Sequence, residues 1–91
     1  MFASKHKTTV DASDFVTLLT EKLPPVIARH DVERQLGGLI TRQTLANADA
    51  LGKGPEVAYR VGRKVVYRTD SLLEWVVNSL GVSRIANLKT L

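Results

Sequence analysis

Apolar side chains recur every three or four residues in several stretches of the chain, and this spacing predicts helices that bury one face. The first predicted helix begins at Asp11 or Ser13 and ends before Pro24 and Pro25, because proline cannot continue a helix. Its apolar stripe consists of Phe15, Val16, Leu18, Leu19 and Leu23. Residues 1–10 have no such period, so we expect them to form a loose N-terminal arm. We assign this helix to core packing or to a partner subunit.

A second strongly periodic stretch predicts a helix that Thr69 or Asp70 caps and that ends at Gly81. Its broad apolar face consists of Leu72, Leu73, Val76, Val77 and Leu80. Trp75 in the same helix is expected to anchor the core or a subunit contact. After it, Ser83 is expected to cap a short final helical turn, whose apolar side would offer a docking strip for another protein or for the first helix. The side chains of that strip are Ile85, Leu88 and Leu91.

Two shorter helices are predicted between these ends, joined by a turn of about four residues. The first follows a short extended entry at Val26 and Ile27 and runs from Arg29 to Leu36. Gly37 and Gly38 end it, since glycine readily adopts the positive φ values of a helix stop. The second runs from a cap at Thr41 to about Leu51. The expected inward positions are Ala28, Val32 and Leu36 for the first helix, and Thr44, Leu45, Ala48 and Leu51 for the second.

The second helix of this helix-turn-helix leaves a polar face outward, made of Arg42, Gln43, Ala46, Asn47 and Asp49. Arginine, glutamine and asparagine have forked donors and acceptors that match guanine and adenine edges in a major groove. We therefore predict that this helix reads DNA, through Thr41, Arg42, Gln43 and Asn47. The alternative is a helical hairpin with a solvated polar face. Asp49 would repel phosphate unless it faces a cytosine amine or pairs with Lys53.

A β-hairpin with a basic tip is predicted after this helix. Residues 52–55 contain two glycines and a proline that end the helix, and two alternating, valine-rich stretches follow at residues 56–59 and 65–68. Because a two-stranded ribbon is marginal alone, it must lie against the helices, as the wing of a winged helix does. Alternatively, its charges only keep an exposed strand edge soluble. The expected contacts with the phosphate backbone or an adjacent minor groove are Arg29, Arg60, Arg63, Lys64 and Arg68.

The charge distribution supports the same segment as the binding region. The 91 residues have a net charge of +4, from 13 basic and 9 acidic residues. Residues 29–68 contain eight basic and four acidic residues, whereas residues 1–28 and 69–91 are each balanced. The whole positive excess therefore lies in the segment with the predicted reading helix and hairpin, as a nucleic-acid binder requires.

Composition also narrows the classes of function. The chain contains no cysteine and only two histidines, His6 and His30, so we expect no disulfide, no metal site and no cofactor. It has no clustered catalytic groups or phosphate loop, and an enzyme is not expected. No apolar run approaches a membrane span or a signal peptide, which favours a cytoplasmic protein. The length of the chain fits a protein with one small core. We divide the chain into an arm and amphipathic helix (1–25), a DNA-binding domain (26–80) and a tail with a short helix (81–91).

Several runs between Val26 and Leu80 stand in an order typical of a known family. Residues 29–33 begin the first helix of the pair, residues 40–45 begin the second, and Gly54-Pro55 leads into the hairpin. Residues 62–76 then give a glycine-arginine turn, a tyrosine near the end of the second strand, an acidic or hydroxyl cap and a leucine-tryptophan helix. This order resembles the winged helix-turn-helix domains of excisionase and AlpA-type phage regulators, small relatives of the MerR DNA-binding domain.

The resemblance implies a mainly α fold with a small β-hairpin, to which this chain adds an N-terminal helix. It also implies sequence-specific binding of double-stranded DNA by a protein of a phage, prophage or other mobile element. Such a protein is a transcriptional regulator or an excisionase, that is, a recombination directionality factor. Expected partners are a second copy of the chain, an integrase or another protein, bound through the N-terminal helix or residues 82–91. The alternative is a non-enzymatic interaction or oligomerisation module that retains the winged-helix fold. The double glycine departs from the single glycine of that family's turn.

Overall fold

The computed structural model describes residues 12–85. Roughly half of these residues are helical, and the rest include a three-stranded antiparallel sheet, so the fold is α+β. α1 covers residues 12–20. The later elements are β1 (Val26–Ala28), a single 3₁₀ turn (Arg29–Asp31), α2 (Val32–Gln35), α3 (Arg42–Ala50), β2 (Ala58–Val61), β3 (Lys64–Arg68) and α4 (Thr69–Leu80). No helix within residues 12–85 is long and apolar enough to cross a membrane.

The sheet has the strand order β1-β3-β2, with β3 in the centre. Tyr67 of β3 lies opposite Ile27 of β1 on one side and opposite Ala58 of β2 on the other. The expectation of a mainly α fold with only a two-stranded hairpin is therefore corrected. The segment predicted as a short extended entry is a third strand, because it pairs with the edge of β3 that the hairpin leaves open.

The hairpin is tighter than the sequence pattern predicts. Val61 pairs with Lys64, so only Gly62 and Arg63 form the turn. Gly62 has a φ of 64°, and glycine at the first position is typical of the two-residue turns that match strand twist. The strands accordingly include residues 61 and 64, which were expected in the loop, and β2 begins at Ala58 rather than at residue 56.

The core lies between the sheet, α4 and the two central helices. Its buried side chains are Ile27, Val32, Leu36, Ile40, Leu45, Tyr67, Leu72, Leu73 and Val76. Val16 and Leu19 of α1, with Leu23 beyond it, pack against this cluster and are partly buried. Leu18, which was expected in the same stripe, is instead 64% exposed. α1 therefore buries a narrower face than its sequence pattern indicates.

The first central helix is shorter than predicted. The chain makes a 3₁₀ turn at Arg29–Asp31 and only one turn of α-helix in α2, while Ala28 belongs to β1. The stop at Gly37 and Gly38 is confirmed, with φ values of 63° and 86°. The Gly38 N–H donates to the Glu33 carbonyl at 2.8 Å, the six-to-one bond of a Schellman motif.

The predicted cap of α4 is also corrected. Thr69 and Asp70 are the first residues of the helix and not its cap, and Arg68 at the cap position makes no side-chain capping bond. The Thr69 hydroxyl donates to the Pro24 carbonyl, and its backbone N–H donates to the Pro25 carbonyl at 2.9 Å. Thr69 therefore ties α4 to the entry of β1.

The end of α4 at Gly81, with a φ of 77°, is confirmed. Residues 81–85 are not helical, so Ser83 caps no turn within them. The predicted N-terminal arm at residues 1–10, together with Leu88 and Leu91 of the predicted docking strip, lies outside the described residues.

Candidate nucleic-acid interface

The start of α3 has the predicted cap. Thr41 has an extended backbone, and its hydroxyl oxygen accepts the N–H of Thr44 at 3.2 Å. This bond satisfies one of the amide groups that the first turn of a helix leaves without an intrahelical partner. The chain between the end of α2 and Thr41 is short, and Ile40 within it is buried whereas Leu39 is half exposed. Leu36 at the start of this segment is buried too, so two apolar side chains fasten the turn to the core.

The polar side chains Arg42, Gln43 and Asn47 of α3 are exposed, as predicted, and so is Thr41. Gln43 Nε2 donates to the side-chain oxygen Oδ1 of Asn47 at 3.0 Å, one helical turn away. This bond orders both side chains and leaves the Gln43 carbonyl oxygen and the Asn47 amide group available to an outside partner. Arg42 lies in the first turn beside them. The arrangement can offer donors and acceptors to the edges of bases.

The inner face of α3 differs from the prediction. Leu45 is fully buried, but Thr44 is exposed and Leu51 is 72% exposed. The regular helix ends at Ala50, and Gly52 turns the chain with a φ of 73°. Leu51 therefore lies beyond the helical spacing from which its burial was predicted. Only one side chain of α3 is completely removed from solvent.

Asp49 does not point outward, and its partner is not Lys53. Its Oδ2 accepts a hydrogen bond from Arg29 Nη2 at 2.5 Å and another from the Tyr67 hydroxyl at 2.5 Å. Arg29 Nε also donates to the Tyr67 oxygen at 2.9 Å. These contacts join the 3₁₀ turn, the last turn of α3 and β3 in one cluster, which we call the Arg29–Asp49–Tyr67 cluster.

The predicted outward position of Arg29 is therefore corrected, because its side chain is only 26% exposed and already has an anionic partner. Lys53 was one of the two partners considered for Asp49. Its backbone carbonyl instead accepts the Trp75 indole N–H at 2.7 Å. Sequence reasoning gave Tyr67 no role at the site. The hydrogen bonds of the cluster span 18 to 38 residues of chain, and no local pattern indicates such pairs.

The protonation states of the cluster are set by its surroundings. Burial, and secondarily the hydrogen bond to Asp49, raises the pKa of Tyr67 from 10.0 to about 12. The hydrogen bond to Tyr67 raises the pKa of Arg29, against the opposing effect of burial and with a further contribution from Asp49. At neutral pH the tyrosine therefore remains a hydroxyl donor and the arginine a cation.

The other basic side chains divide into two groups. Arg34 and Arg68 have carboxylate partners, Asp31 at 2.7 Å and Asp70 at 2.9 Å. The hydrogen bond from Arg34, followed by one from Gln35, lowers the pKa of Asp31. Six exposed lysine and arginine side chains form no ion pair within residues 12–85. Two of them, Lys22 and Lys53, lie in loops, and the other four are Arg42, Arg60, Arg63 and Lys64. Of these four, one is on α3 and three are at the hairpin.

The described part of the chain holds no group of three or more His, Cys, Asp or Glu side chains that could bind a metal ion. An open groove runs beside the start of α3, between Arg34, the Gly37-Gly38 turn and Arg42. Comparison of the chain with protein-family models, with curated proteins and with solved structures finds no match.

Proposed function

We propose that the protein binds double-stranded DNA in a sequence-specific manner, with residues 26–80 acting as a winged helix-turn-helix. In this proposal α3 enters the major groove, and the β2–β3 hairpin is the wing that contacts the adjacent backbone. The resemblance to excisionase and AlpA-type regulators supports this assignment of roles, as do the short turn before α3 and the exposed Arg42, Gln43 and Asn47.

The observation that supports the proposal most directly is that four of the six exposed lysines and arginines without an ion pair in residues 12–85 are Arg42, Arg60, Arg63 and Lys64. They lie on the two elements that a winged helix presents to DNA, whereas Arg29, Arg34 and Arg68 have carboxylate partners. Exposed cations that lack an internal anion are suited to neutralising phosphates, which dominate the affinity for DNA. The proposal thus assigns the backbone contacts to Arg60, Arg63 and Lys64.

Base reading is assigned to the start of α3. Arg42 can bind guanine with two donors, and Gln43 and Asn47 can bind adenine through their amide groups. Thr41 is exposed beside them and its hydroxyl suits a phosphate or a base contact. One small domain contacts few base pairs, so useful specificity requires two or more copies on the DNA.

We propose that the protein acts in the cytoplasm as a regulator or an excisionase of a mobile element. The two roles differ in the arrangement of sites, because a regulator binds one paired operator whereas an excisionase binds adjacent direct repeats and curves the DNA. Footprinting on a selected site together with a gel-based bending assay distinguishes them. A paired footprint without bending favours the regulator, and a repeated footprint with bending favours the excisionase.

The first test is fluorescence anisotropy of the purified protein with a random duplex at several salt concentrations. We expect the logarithm of the binding constant to fall linearly with the logarithm of salt concentration, by about 0.9 for each neutralised phosphate. Arg63→Ala should reduce that slope by about one and weaken binding to every sequence equally. Lys22→Ala is the matched control, since it removes one exposed charge outside α3 and the hairpin, and its slope should equal that of the wild type. Absence of binding at low salt would refute the proposal.

A second test separates reading from backbone contact. A binding site is first selected from random duplexes, and affinity is then measured for every single-base change in it. Gln43→Ala should lose the preference at one base pair, at a cost of about 1–3 kcal/mol for the preferred base. If Gln43→Ala and Arg63→Ala instead affected all probes equally, the roles assigned to α3 and the hairpin would be wrong.

A second candidate function is an interaction or oligomerisation module. It is favoured by apolar side chains that are exposed on α1, at the end of α4 and in the residues that follow α4. Leu18, Leu80 and Ile85 are each more than half exposed, and Phe15 and Leu18 line an open groove with Val82. This surface could bind a second copy or a partner such as an integrase. Sedimentation equilibrium tests the first case, in which Leu18→Asn should lower the fraction of dimer.

A further inference from the structure

The Arg29–Asp49–Tyr67 cluster connects the three parts of the molecule that determine where α3 lies. Arg29 follows β1 directly, Asp49 is in the last turn of α3, and Tyr67 is in the central strand of the sheet. Each of the three side chains bonds to both of the others, at distances of 2.5 to 2.9 Å. The Tyr67 side chain is fully buried, so its hydroxyl is a fixed point on the body of the protein.

α3 has few other attachments. Leu45 is its only buried residue, and Asp49 follows it by one helical turn on the same face. Together with Ile40, which is buried just before the helix, Leu45 fixes the first half of α3 and leaves its last turn without an apolar attachment in the core cluster. The attachment at Asp49 holds this last turn, and so determines the direction of the helix axis.

The loop after α3 is built around Asp49. A Cβ placed on Gly54 would lie 1.8 Å from Asp49 Oδ1 and 2.9 Å from its Cγ, closer than any real contact. The backbone of the loop therefore covers one side of this carboxylate while Arg29 and Tyr67 bind the other. Further along, Trp75 of α4 holds the same loop at Lys53.

We infer that Arg29, Asp49 and Tyr67 are positioning residues that set the angle of α3 against the sheet, and hence against the hairpin that continues from it. This inference rests on the proposed function and assigns to Arg29 a role other than contact with phosphate. A misaligned α3 can still approach phosphates through flexible cations, but its side chains no longer meet the base edges. The cluster therefore supports specific binding more than non-specific binding.

The test compares affinity for a selected site with affinity for a random duplex in the same buffer. Tyr67→Phe removes the hydroxyl and keeps the buried ring, and Asp49→Asn keeps the shape of the side chain. For both variants we expect affinity for the selected site to fall roughly tenfold, because a hydrogen bond to a charged group is lost. Affinity of Tyr67→Phe for random duplex, and its salt slope, should match the wild type. Glu74→Gln on α4 is the control for the charge change of Asp49→Asn.

Two outcomes overturn the inference. If the variants are less stable but the ratio of the two affinities is unchanged, the cluster serves stability alone. If Arg29→Gln lowers the salt slope by about one while Tyr67→Phe leaves both affinities unchanged, Arg29 contacts phosphate directly.

A measurement without DNA keeps the inference separate from the proposed function. Backbone residual dipolar couplings of the free protein report the angle between α3 and β3. We expect Tyr67→Phe to change that angle or to average the couplings of α3, while the couplings of α4 stay as in the wild type. If the wild type does not bind DNA, the proposed function fails and these couplings alone decide whether the cluster positions α3. Unchanged couplings in α3 would refute the inference.

Discussion

α3 and α4 are attached to the protein in different ways. α4 has twelve residues, of which five are buried: Thr69, Ser71, Leu72, Leu73 and Val76. α3 has nine residues, and Leu45 alone is buried. α4 is held by the burial of apolar surface, which is roughly proportional to area and indifferent to direction. α3 is held by one leucine and a set of directional hydrogen bonds.

This difference suits the two helices to different tasks. A helix that buries a broad face has little surface to offer a ligand, so α4 can serve as the support of the fold. A helix that buries one side chain leaves most of its surface to water, and its orientation then depends on a few polar contacts. Such an element belongs to the less stable part of a structure, where binding surfaces are found. The following substitutions test this contrast.

The largest effect is expected from the core face of α4. Leu72 is fully buried, so Leu72→Ala should reduce the free energy of unfolding by about 2–5 kcal/mol through lost burial and the cavity that remains. Leu51→Ala, just after α3, is the matched control. Its side chain is 72% exposed, and the change should stay within about 0.5 kcal/mol. Urea denaturation measures both, and equal costs would contradict the view that α4 is the support.

A pH-dependent effect is expected from Tyr67. The folded protein keeps the tyrosine proton up to a pKa of about 12, compared with 10.0 for the ordinary group. Unfolding therefore releases a proton between these pH values, and stability falls as pH rises through that interval. This stabilising contribution of the protonated Tyr67 hydroxyl is complete below about pH 10, and its loss as pH rises through about 12 amounts to about 3 kcal/mol.

The measurement is urea denaturation of the wild type and Tyr67→Phe from about pH 9 to about pH 12. All other groups are present in both proteins, so the comparison isolates the contribution of the Tyr67 hydroxyl. The stability difference between the two proteins should narrow as pH rises. A constant difference would mean that Tyr67 titrates as an ordinary tyrosine.

A smaller effect on stability is expected in the loop that follows α3, where Gly54 lies against Asp49. Gly54→Ala should cost about 1–2 kcal/mol, because the new methyl group displaces a carboxylate that Arg29 and Tyr67 hold in place. In an Asp49→Ala background the same substitution should cost little, since the displaced atoms are gone. A double-mutant cycle measures this coupling. Additive costs would show that Gly54 is required for another reason.

The parts of α3 that were predicted correctly depend on neighbours in the sequence. The Thr41 cap, the burial of Leu45 and the exposure of Gln43 follow from helical periodicity and from a bond between residues three apart. The stop at Gly37-Gly38 is equally local, since it depends on the backbone freedom of glycine.

The parts that were missed depend on distant pairing. β1 is a strand because Ile27 meets Tyr67, forty residues later, and three residues contain too little periodicity to show it. Asp49 looked like an outward residue on the helix because its partners come from the 3₁₀ turn and from β3. Arg29 was assigned to DNA for the same reason, since a basic residue in a basic segment gives no sign of a partly buried acidic partner from a distant part of the chain. Local rules therefore located the proposed reading face, whereas tertiary contacts decide how it is held.

The smallest effect is expected at the start of α3. Thr41→Ala removes the hydroxyl that accepts the Thr44 N–H and should lower the free energy of unfolding by about 1 kcal/mol. Thr41→Ser keeps the acceptor and should restore most of that loss. Because the cap contributes to the first turn of α3 and α4 is supported independently, hydrogen exchange should accelerate at the amides of α3 before those of α4. If exchange accelerated equally in both helices, α3 would share the stability of the core, and the contrast between the two helices would not hold.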